Sequence, residues 1–129
     1  MTPLRALVLD DEWLARKYLA QLIEATGLAR VVGAVASLAE ARRVLAETPV
    51  DVVFLDVQLA GGENGLDLIG SIPPDAKRPA FVLATAFTHH ARKAGDLGAV
   101  DSLLKPFSEE RVEQCLRRLI HPSGTASPR

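Results

Sequence analysis

Residues 4–12 read Leu-Arg-Ala-Leu-Val-Leu-Asp-Asp-Glu, a short apolar run that ends in three consecutive acids. Four further runs rich in apolar residues follow along the chain. Most of them are nearly continuous in apolar residues rather than alternating, a pattern typical of strands buried on both faces of a parallel sheet. The sequence therefore predicts five strands, at Leu4–Leu9, Val31–Ala36, Val50–Leu55, Ala80–Ala84 and Ala99–Leu104.

The segments between these runs carry apolar residues at helical spacing. The first stripe, residues 14–23, ends before Gly27, a candidate helix C-cap. The second stripe opens at Ser37 with Glu40 three residues later, which is a capping-box pattern. The last stripe follows Ser108, with two glutamates in its first turn, where the helix dipole favours anions. Weaker candidates around residues 66–69 and 91–97 complete a strand-helix order repeated five times.

Strands that alternate with helices predict an α/β fold. We expect an open, doubly wound parallel sheet with right-handed crossovers and helices on both faces. This domain is assigned to residues 1–121. Residues 122–129, Pro-Ser-Gly-Thr-Ala-Ser-Pro-Arg, are rich in turn-forming residues and have no hydrophobic face. They are predicted to be a disordered tail or the start of a linker.

Composition excludes several classes of function. The chain has 129 residues, of which 15 are Lys or Arg and 16 are Asp or Glu, so it lacks the basic excess of a nucleic-acid or anionic-membrane surface. No apolar run approaches the roughly 20 residues of a membrane span. We therefore expect no direct nucleic-acid or membrane partner. The single cysteine, Cys115, and the absence of a signal-peptide pattern predict a reduced, cytoplasmic protein.

Polar side chains follow four of the predicted strands at their carboxyl ends. The carboxyl ends of parallel strands meet at one edge of an open sheet, where such folds bind ligands. Three carboxylates, a hydroxyl and an ammonium are therefore expected around one pocket. The residues concerned are Asp10 and Asp11 after the first strand, Asp56 after the third, Thr85 and Ala86 at the fourth, and Lys105 after the fifth.

This set of groups suits phosphoryl chemistry better than binding of an organic ligand. Clustered carboxylates repel one another, and their hard oxygens favour Mg²⁺, which takes one or two carboxylates together with waters and phosphate oxygens. A carboxylate can attack phosphorus and form an acyl phosphate. The Lys105 ammonium and the Thr85 hydroxyl could each bind one oxygen of the transferred group.

Four motifs resemble the receiver (CheY-like) domain of two-component response regulators. They are residues 7–12 (Leu-Val-Leu-Asp-Asp-Glu), 53–57 (Val-Phe-Leu-Asp-Val), 83–86 (Leu-Ala-Thr-Ala) and 103–107 (Leu-Leu-Lys-Pro-Phe). The match covers about residues 3–120. Residues 10–16 and 98–108 are similar to receivers that precede LytTR-type DNA-binding domains. The resemblance implies a flavodoxin-like (βα)5 sheet with strand order 2-1-3-4-5, and a signalling protein that catalyses only its own phosphotransfer and autodephosphorylation.

The resemblance also implies how the site works. Asp56 would accept a phosphoryl group from a sensor histidine kinase or a phosphotransfer protein. Mg²⁺ would be bound by Asp11 and Asp56, by Asp10 largely through water, and by the backbone carbonyl of Gln58.

The remaining implied roles concern phosphate binding and output. Lys105, Thr85 and Ala86 would bind the phosphate, and Thr85 would move towards it. The bond between Lys105 and Pro106 would be cis, which X–Pro bonds alone allow at low cost. The fourth helix, fifth strand and fifth helix would form a face for homodimerisation or effector docking.

Three features depart from the family pattern. Ser102 stands where the family usually has an aromatic residue that rotates inward as the threonine moves, and Phe87 is a candidate substitute. The loop after Asp56 lacks the usual Met-Pro and is slightly longer, with Gly61 and Gly62 adding flexibility. Trp13 follows the acidic triplet where proline is common. An apolar Phe87 should neither position nor activate an attacking water, which predicts slow autodephosphorylation.

Two other functions stay open at this point. A pseudo-receiver would keep the fold as an interaction module without phosphorylation, and a haloacid-dehalogenase-like phosphohydrolase would share the chemistry. The hydrolase would need Asp-x-Asp after the first strand, whereas Asp10 and Asp11 are adjacent. His89 and His90 have no cysteine or carboxylate at metal-ligand spacing, so they are interpreted as surface histidines rather than a zinc site.

Overall fold

The computed structural model describes residues 2–75 and 77–121, and these residues form one five-stranded parallel sheet. The sheet order is β2-β1-β3-β4-β5, and every neighbouring pair is parallel. The predicted fold class and strand order are therefore confirmed. The strands are β1 (Leu4–Leu9), β2 (Ala29–Val35), β3 (Val52–Leu55), β4 (Ala80–Thr85) and β5 (Asp101–Leu104).

Helices connect successive strands. They are α1 (Trp13–Ala25), α2 (Leu38–Glu47), α3 (Leu66–Gly70), α4 (Ala91–Asp96) and α5 (Glu109–Ile120), with 3₁₀ turns at Ala60–Gly62 and Thr88–His90. The predicted N-caps are confirmed. Ser37 Oγ accepts a hydrogen bond from the backbone N–H of Glu40, and Ser108 Oγ accepts one from that of Arg111, both at 3.2 Å.

Two strands begin later than the apolar pattern predicts. The third run starts at Val50, but β3 starts at Val52, because the Asp51 carboxylate binds the Arg5 backbone N–H at 2.7 Å and holds the preceding turn. The fifth run starts at Ala99, whose N–H instead donates to the Ala94 carbonyl at 2.9 Å and closes the end of α4. Val50 and Ala99 are partly buried against the core, so an apolar run can extend into a turn that precedes the strand.

The core consists of two apolar layers on either side of the sheet. One layer packs β1 and β3 against α1 and α5, with Phe54 and Ile23 fully buried. The other packs the opposite sheet face against α2, α3 and α4, around Phe81 and Leu68. Fully burying one such side chain contributes about 1.5–3 kcal/mol. The residues at the carboxyl ends of the central strands therefore follow directly on a well-buried core.

No helix within residues 2–75 and 77–121 is long and apolar enough to cross a membrane. The tail predicted at residues 122–129 lies outside the described residues.

Candidate functional site

Three predicted residues meet at the carboxyl edge of the sheet. The Lys105 ammonium donates hydrogen bonds to Asp10 Oδ2 at 2.7 Å and to Asp56 Oδ2 at 3.0 Å. Their backbones continue the sheet beyond the strand ends: the Asp56 N–H donates to the Leu9 carbonyl and the Lys105 N–H to the Thr85 carbonyl. The same ladder that pairs the strands therefore brings together side chains 49 and 95 residues apart.

The triad is largely shielded from solvent. Asp10 is 3% exposed, and the side chains of Asp56 and Lys105 are 15% and 22% exposed. Burial opposes the charged ammonium, yet its hydrogen bonds to Asp10 and Asp56 outweigh burial and raise the pKa of Lys105 above its usual value. The triad thus carries two carboxylates against one permanently charged ammonium, an excess of negative charge.

Backbone contacts orient both carboxylates. Asp10 Oδ1 accepts the Glu12 N–H at 3.0 Å, and Asp56 Oδ1 accepts the Val57 N–H at 2.7 Å, so each carboxylate leaves Oδ2 for Lys105. Arg16 Nη1 donates to the Asp10 backbone carbonyl at 2.8 Å and ties α1 back to the end of β1. Sequence analysis gave Arg16 no role, because nothing in a helical pattern distinguishes an arginine that bonds a preceding turn from a solvated one.

Asp11 and Gln58 lie outside this hydrogen-bonded triad. Asp11 is exposed and makes no side-chain hydrogen bond to the described residues, and its role as a metal ligand stays a prediction. Gln58 is exposed in the loop after β3, and within residues 2–75 and 77–121 no hydrogen bond uses its backbone carbonyl as acceptor.

The atoms of the triad that could bind a metal are the carboxylate oxygens of Asp10 and Asp56. These are hard ligands in a group with more negative than positive charge, which fits Mg²⁺. Among the described residues, no three His, Cys, Asp or Glu side chains are arranged to hold a metal ion by themselves. A cation that keeps several waters and takes only one or two carboxylates matches this arrangement better than one that needs a complete protein cage. The residues that would hold it are Asp10, Asp11, Asp56 and the Gln58 carbonyl.

Thr85 and Ala86 flank the triad at the end of β4. Thr85 is 1% exposed, and its Oγ1 accepts the Phe87 N–H at 3.3 Å. The bond between Lys105 and Pro106 is cis, as the resemblance implies. Ala86 lines a surface groove of about 380 Å³ beside the triad, together with Ala15, Tyr18, Lys105, Pro106 and Phe107.

The segment after Thr85 carries three aromatic rings in contact, at tilted or edge-on angles. The His89 and His90 ring centroids lie 4.0 Å apart, and Phe87, which is 44% exposed, packs against both. His89 is exposed, as expected of a surface histidine, whereas His90 is only partly exposed. His90 is half-buried, and its Nε2 has no hydrogen-bond partner among the described residues.

Ser102 is half-buried on β5, opposite Leu83. No aromatic side chain stands at this position. Instead, Arg111 of α5 binds the strand here: its Nη2 donates to the Ser102 carbonyl at 3.1 Å and to Asp101 Oδ1 at 2.8 Å. Burial of the Asp101 carboxyl is outweighed by Arg111 and the Ser102 N–H, so the pKa of Asp101 lies below its usual value. This contact of Arg111 with Asp101 and Ser102 could not be predicted from the sequence, since partners ten residues apart leave no local pattern.

Comparison with known proteins agrees with this geometry. Residues 6–117 match the family model of the response regulator receiver domain. The chain is 38% identical over 115 residues to "Sensory transduction protein LytT" of Bacillus cereus and 35% identical over 116 residues to "Transcriptional regulatory protein LytR" of Staphylococcus aureus. These matches cover 89% and 90% of this chain but 46% and 47% of the relatives, so the chain spans about half their length.

A solved structure extends the likeness to the backbone. The response regulatory domain of protein mrkE from Klebsiella pneumoniae superposes with a TM-score of 0.82 at 30% identity, over 94% of this chain and 98% of that one. The same family assignment follows from the sequence motifs, the sheet order, the Asp10–Lys105–Asp56 triad and the family model. The chain belongs to the response regulator receiver domain family of two-component signalling.

Proposed function

We propose that this domain accepts a phosphoryl group on Asp56 in a Mg²⁺-dependent reaction and thereby switches conformation. The observation that carries the proposal is the Lys105 ammonium held between Asp10 Oδ2 and Asp56 Oδ2 at the carboxyl edge of the sheet. A nucleophilic carboxylate, a neighbouring acid and a fixed cation are the protein groups that such a transfer requires.

The residues have separate tasks in the transfer. An Asp56 carboxylate oxygen forms a bond to phosphorus as the bond between phosphorus and the donor histidine nitrogen breaks, and the imidazole leaves. Asp10, Asp11, Asp56 and the Gln58 carbonyl would hold Mg²⁺, which would supply positive charge to the phosphoryl oxygens. Lys105, whose ammonium lies 3.0 Å from Asp56 Oδ2, would bind another of these oxygens. Ala86 would offer its backbone to the same group.

Switching would begin at Thr85. Its hydroxyl oxygen now accepts the Phe87 N–H at 3.3 Å, and turning the side chain so that its O–H donates to the phosphoryl group would weaken that contact. The segment after β4 would then rearrange, which shifts a pre-existing equilibrium between inactive and active states. Because Ser102 is too small to follow Thr85 inward, Phe87 is the candidate that senses its movement.

The output surface proposed is the face of α4, β5 and α5, used for homodimerisation or for docking an effector. Val100 and Leu104, at the exposed edge of the sheet, are 56% and 49% exposed and would be covered by such a partner. The proposed phosphoryl donor is a sensor histidine kinase or a phosphotransfer protein in the cytoplasm. No direct contact of this domain with nucleic acid or membrane is proposed.

Acetyl phosphate and Mg²⁺ test the proposal without the natural donor. We expect wild type to gain one phosphoryl group that hydroxylamine removes, and Asp56→Asn to gain none. Asp51→Asn, a carboxylate at the opposite end of β3, is the matched control and should be labelled like wild type. An unlabelled wild type would favour the pseudo-receiver, and steady turnover of a phosphomonoester would favour the hydrolase.

A further inference from the structure

Glu63 lies in the loop between β3 and α3, and its carboxylate reaches a different element. Glu63 Oε1 accepts the backbone N–H of Leu38 at 3.1 Å, across 25 residues of sequence. Leu38 is the first residue of α2, and its N–H is one of the N-terminal groups for which a helix has no internal partner. A negative charge at this position also interacts favourably with the helix dipole. Glu63 therefore completes the N-terminal cap of α2.

The backbone of Glu63 holds the loop as well. The Glu63 carbonyl accepts the Leu59 N–H at 3.0 Å, and the Gly65 N–H donates to the Val57 carbonyl at 2.7 Å. These two bonds make the outgoing and returning limbs an antiparallel pair, with Gln58 opposite Asn64. Glu63 thus contacts α2 with its side chain and contacts the limb that carries Gln58 with its backbone carbonyl.

The turn between the two limbs gives little stiffness of its own. Gly61 and Gly62 have φ angles of +75° and +79°, in the region that glycine adopts without strain, and no heavy atom of the described residues lies within 4 Å of a Cβ built on either. Glycine loses more conformational freedom on ordering than any other residue. An anchor outside the turn therefore has a large share in fixing the loop. Leu38 and Leu59, which flank the anchor, belong to the same buried cluster.

We propose that Glu63 is a positioning residue: it raises the affinity of the site formed by Asp10, Asp11 and Asp56 for Mg²⁺ by fixing the backbone carbonyl of Gln58. The inference rests on the proposed function, in which that carbonyl is a Mg²⁺ ligand. The carbonyl accepts no hydrogen bond from the described residues, so its direction is set by the loop alone. Partners that orient metal ligands typically change affinity about 10–100-fold when mutated. Glu63 acts one step further away, and we expect about five- to tenfold.

The test measures Mg²⁺ affinity from the rise in unfolding free energy with Mg²⁺ concentration. Unfolding in urea is followed by the fluorescence of Trp13, the single tryptophan. Glu63→Ala should bind Mg²⁺ about five- to tenfold more weakly, by analogy with other ligand-orienting residues. Glu63→Gln keeps an oxygen acceptor for the Leu38 N–H without the charge, and it should restore affinity to within about twofold of wild type, because a neutral acceptor retains the hydrogen bond.

Ser37→Ala is the matched control. It removes a different hydrogen bond at the same helix end, the one from the Glu40 N–H, and does not touch the loop after β3. It should lower the stability measured without Mg²⁺, as Glu63→Ala does, and leave Mg²⁺ affinity unchanged.

Three results would overturn this inference alone. Wild-type affinity in Glu63→Ala would make its role purely structural. Equal weakening in Glu63→Gln would assign the effect to charge, and equal weakening in Ser37→Ala would assign it to the stability of α2. A wild type without any Mg²⁺-dependent stabilisation would overturn the proposed function and this inference with it, whereas the first three results leave the proposed function intact.

Discussion

The substitution Arg111→Met removes the guanidinium that clamps α5 to β5. Arg111 Nη2 and Nη1 donate to the Asp101 carboxylate at 2.8 Å and 3.3 Å, and Nη2 also reaches the Ser102 carbonyl. Methionine keeps most of the apolar stem but none of the donors. The Asp101 carboxylate, 13% exposed, would retain the Ser102 N–H at 2.7 Å and lose its closer charged partner, which leaves Arg118 at 3.9 Å.

The size of the effect lies between two limits. Exposed ion pairs contribute about 0–1 kcal/mol, whereas removing one partner of a buried pair costs about 3–5 kcal/mol. Asp101 is nearly buried and Arg111 is 32% exposed. We therefore expect a loss of about 2 kcal/mol in the free energy of unfolding at neutral pH, midway between those limits.

The loss should depend on pH. Burial raises the pKa of Asp101, but the Arg111 hydrogen bonds reverse this, and the folded pKa lies below the usual 3.8. A lowered folded pKa stabilises the protein above the unfolded pKa, and this contribution disappears as the pH falls through the folded value. The difference between wild type and Arg111→Met should thus be full at neutral pH and shrink below pH 3.8.

Urea unfolding of both proteins at about pH 7 and about pH 3 measures this difference. Arg118→Met is the matched control, because Arg118 is 50% exposed and 3.9 Å from Asp101, and it should cost less than about 0.5 kcal/mol. An equal loss at both pH values, or an equal loss in the control, would refute the reasoning.

Three further predictions concern single positions. Gly65→Ala places a Cβ in overlap with the Asp56 carbonyl and should cost about 1–3 kcal/mol in urea unfolding. Gly70→Ala, whose added Cβ has no atom of the described residues within 4 Å, should be neutral or stabilising, and equal costs of the two substitutions would contradict this reasoning. Burial, with a smaller contribution from the neighbouring Asp101 carboxylate, raises the pKa of the Cys115 thiol to about 12. Iodoacetamide should therefore alkylate this thiol only after unfolding in urea, and rapid labelling of the native protein would refute this. Phe87→Asn should shorten the half-life of the aspartyl phosphate, measured by loss of label, because an amide can hold an attacking water; an unchanged half-life would rule out this role for Phe87.

The central part of the site could be predicted from the sequence because strand ends determine it. Asp10, Asp56 and Lys105 each follow an apolar run directly, and parallel pairing brings such positions to one edge. The cis bond before Pro106 could be expected from the family resemblance alone. The role of Asp11 stays a prediction: Asp10 is buried and hydrogen-bonded to Lys105, whereas Asp11 is exposed and makes no side-chain hydrogen bond to the described residues.

The supporting contacts could not be predicted. Glu63 and Leu38 are 25 residues apart, and Arg111 lies ten residues after Asp101. Periodicity in a sequence reports which residues are buried, and it carries no information on which charged side chain reaches which backbone group. The same limit explains His90, whose polar side chain gave no sign that its Nε2 is buried.

The central claim is that Asp56 itself carries the phosphoryl group. The most direct measurement treats the protein with acetyl phosphate and Mg²⁺, reduces the acyl phosphate with borohydride, and locates the reduced residue by peptide mass spectrometry. Reduction converts a phosphorylated aspartate to homoserine, so the account predicts homoserine at position 56 and unmodified aspartate at positions 10, 11 and 51. Homoserine at one of those other positions, or at none, would contradict it.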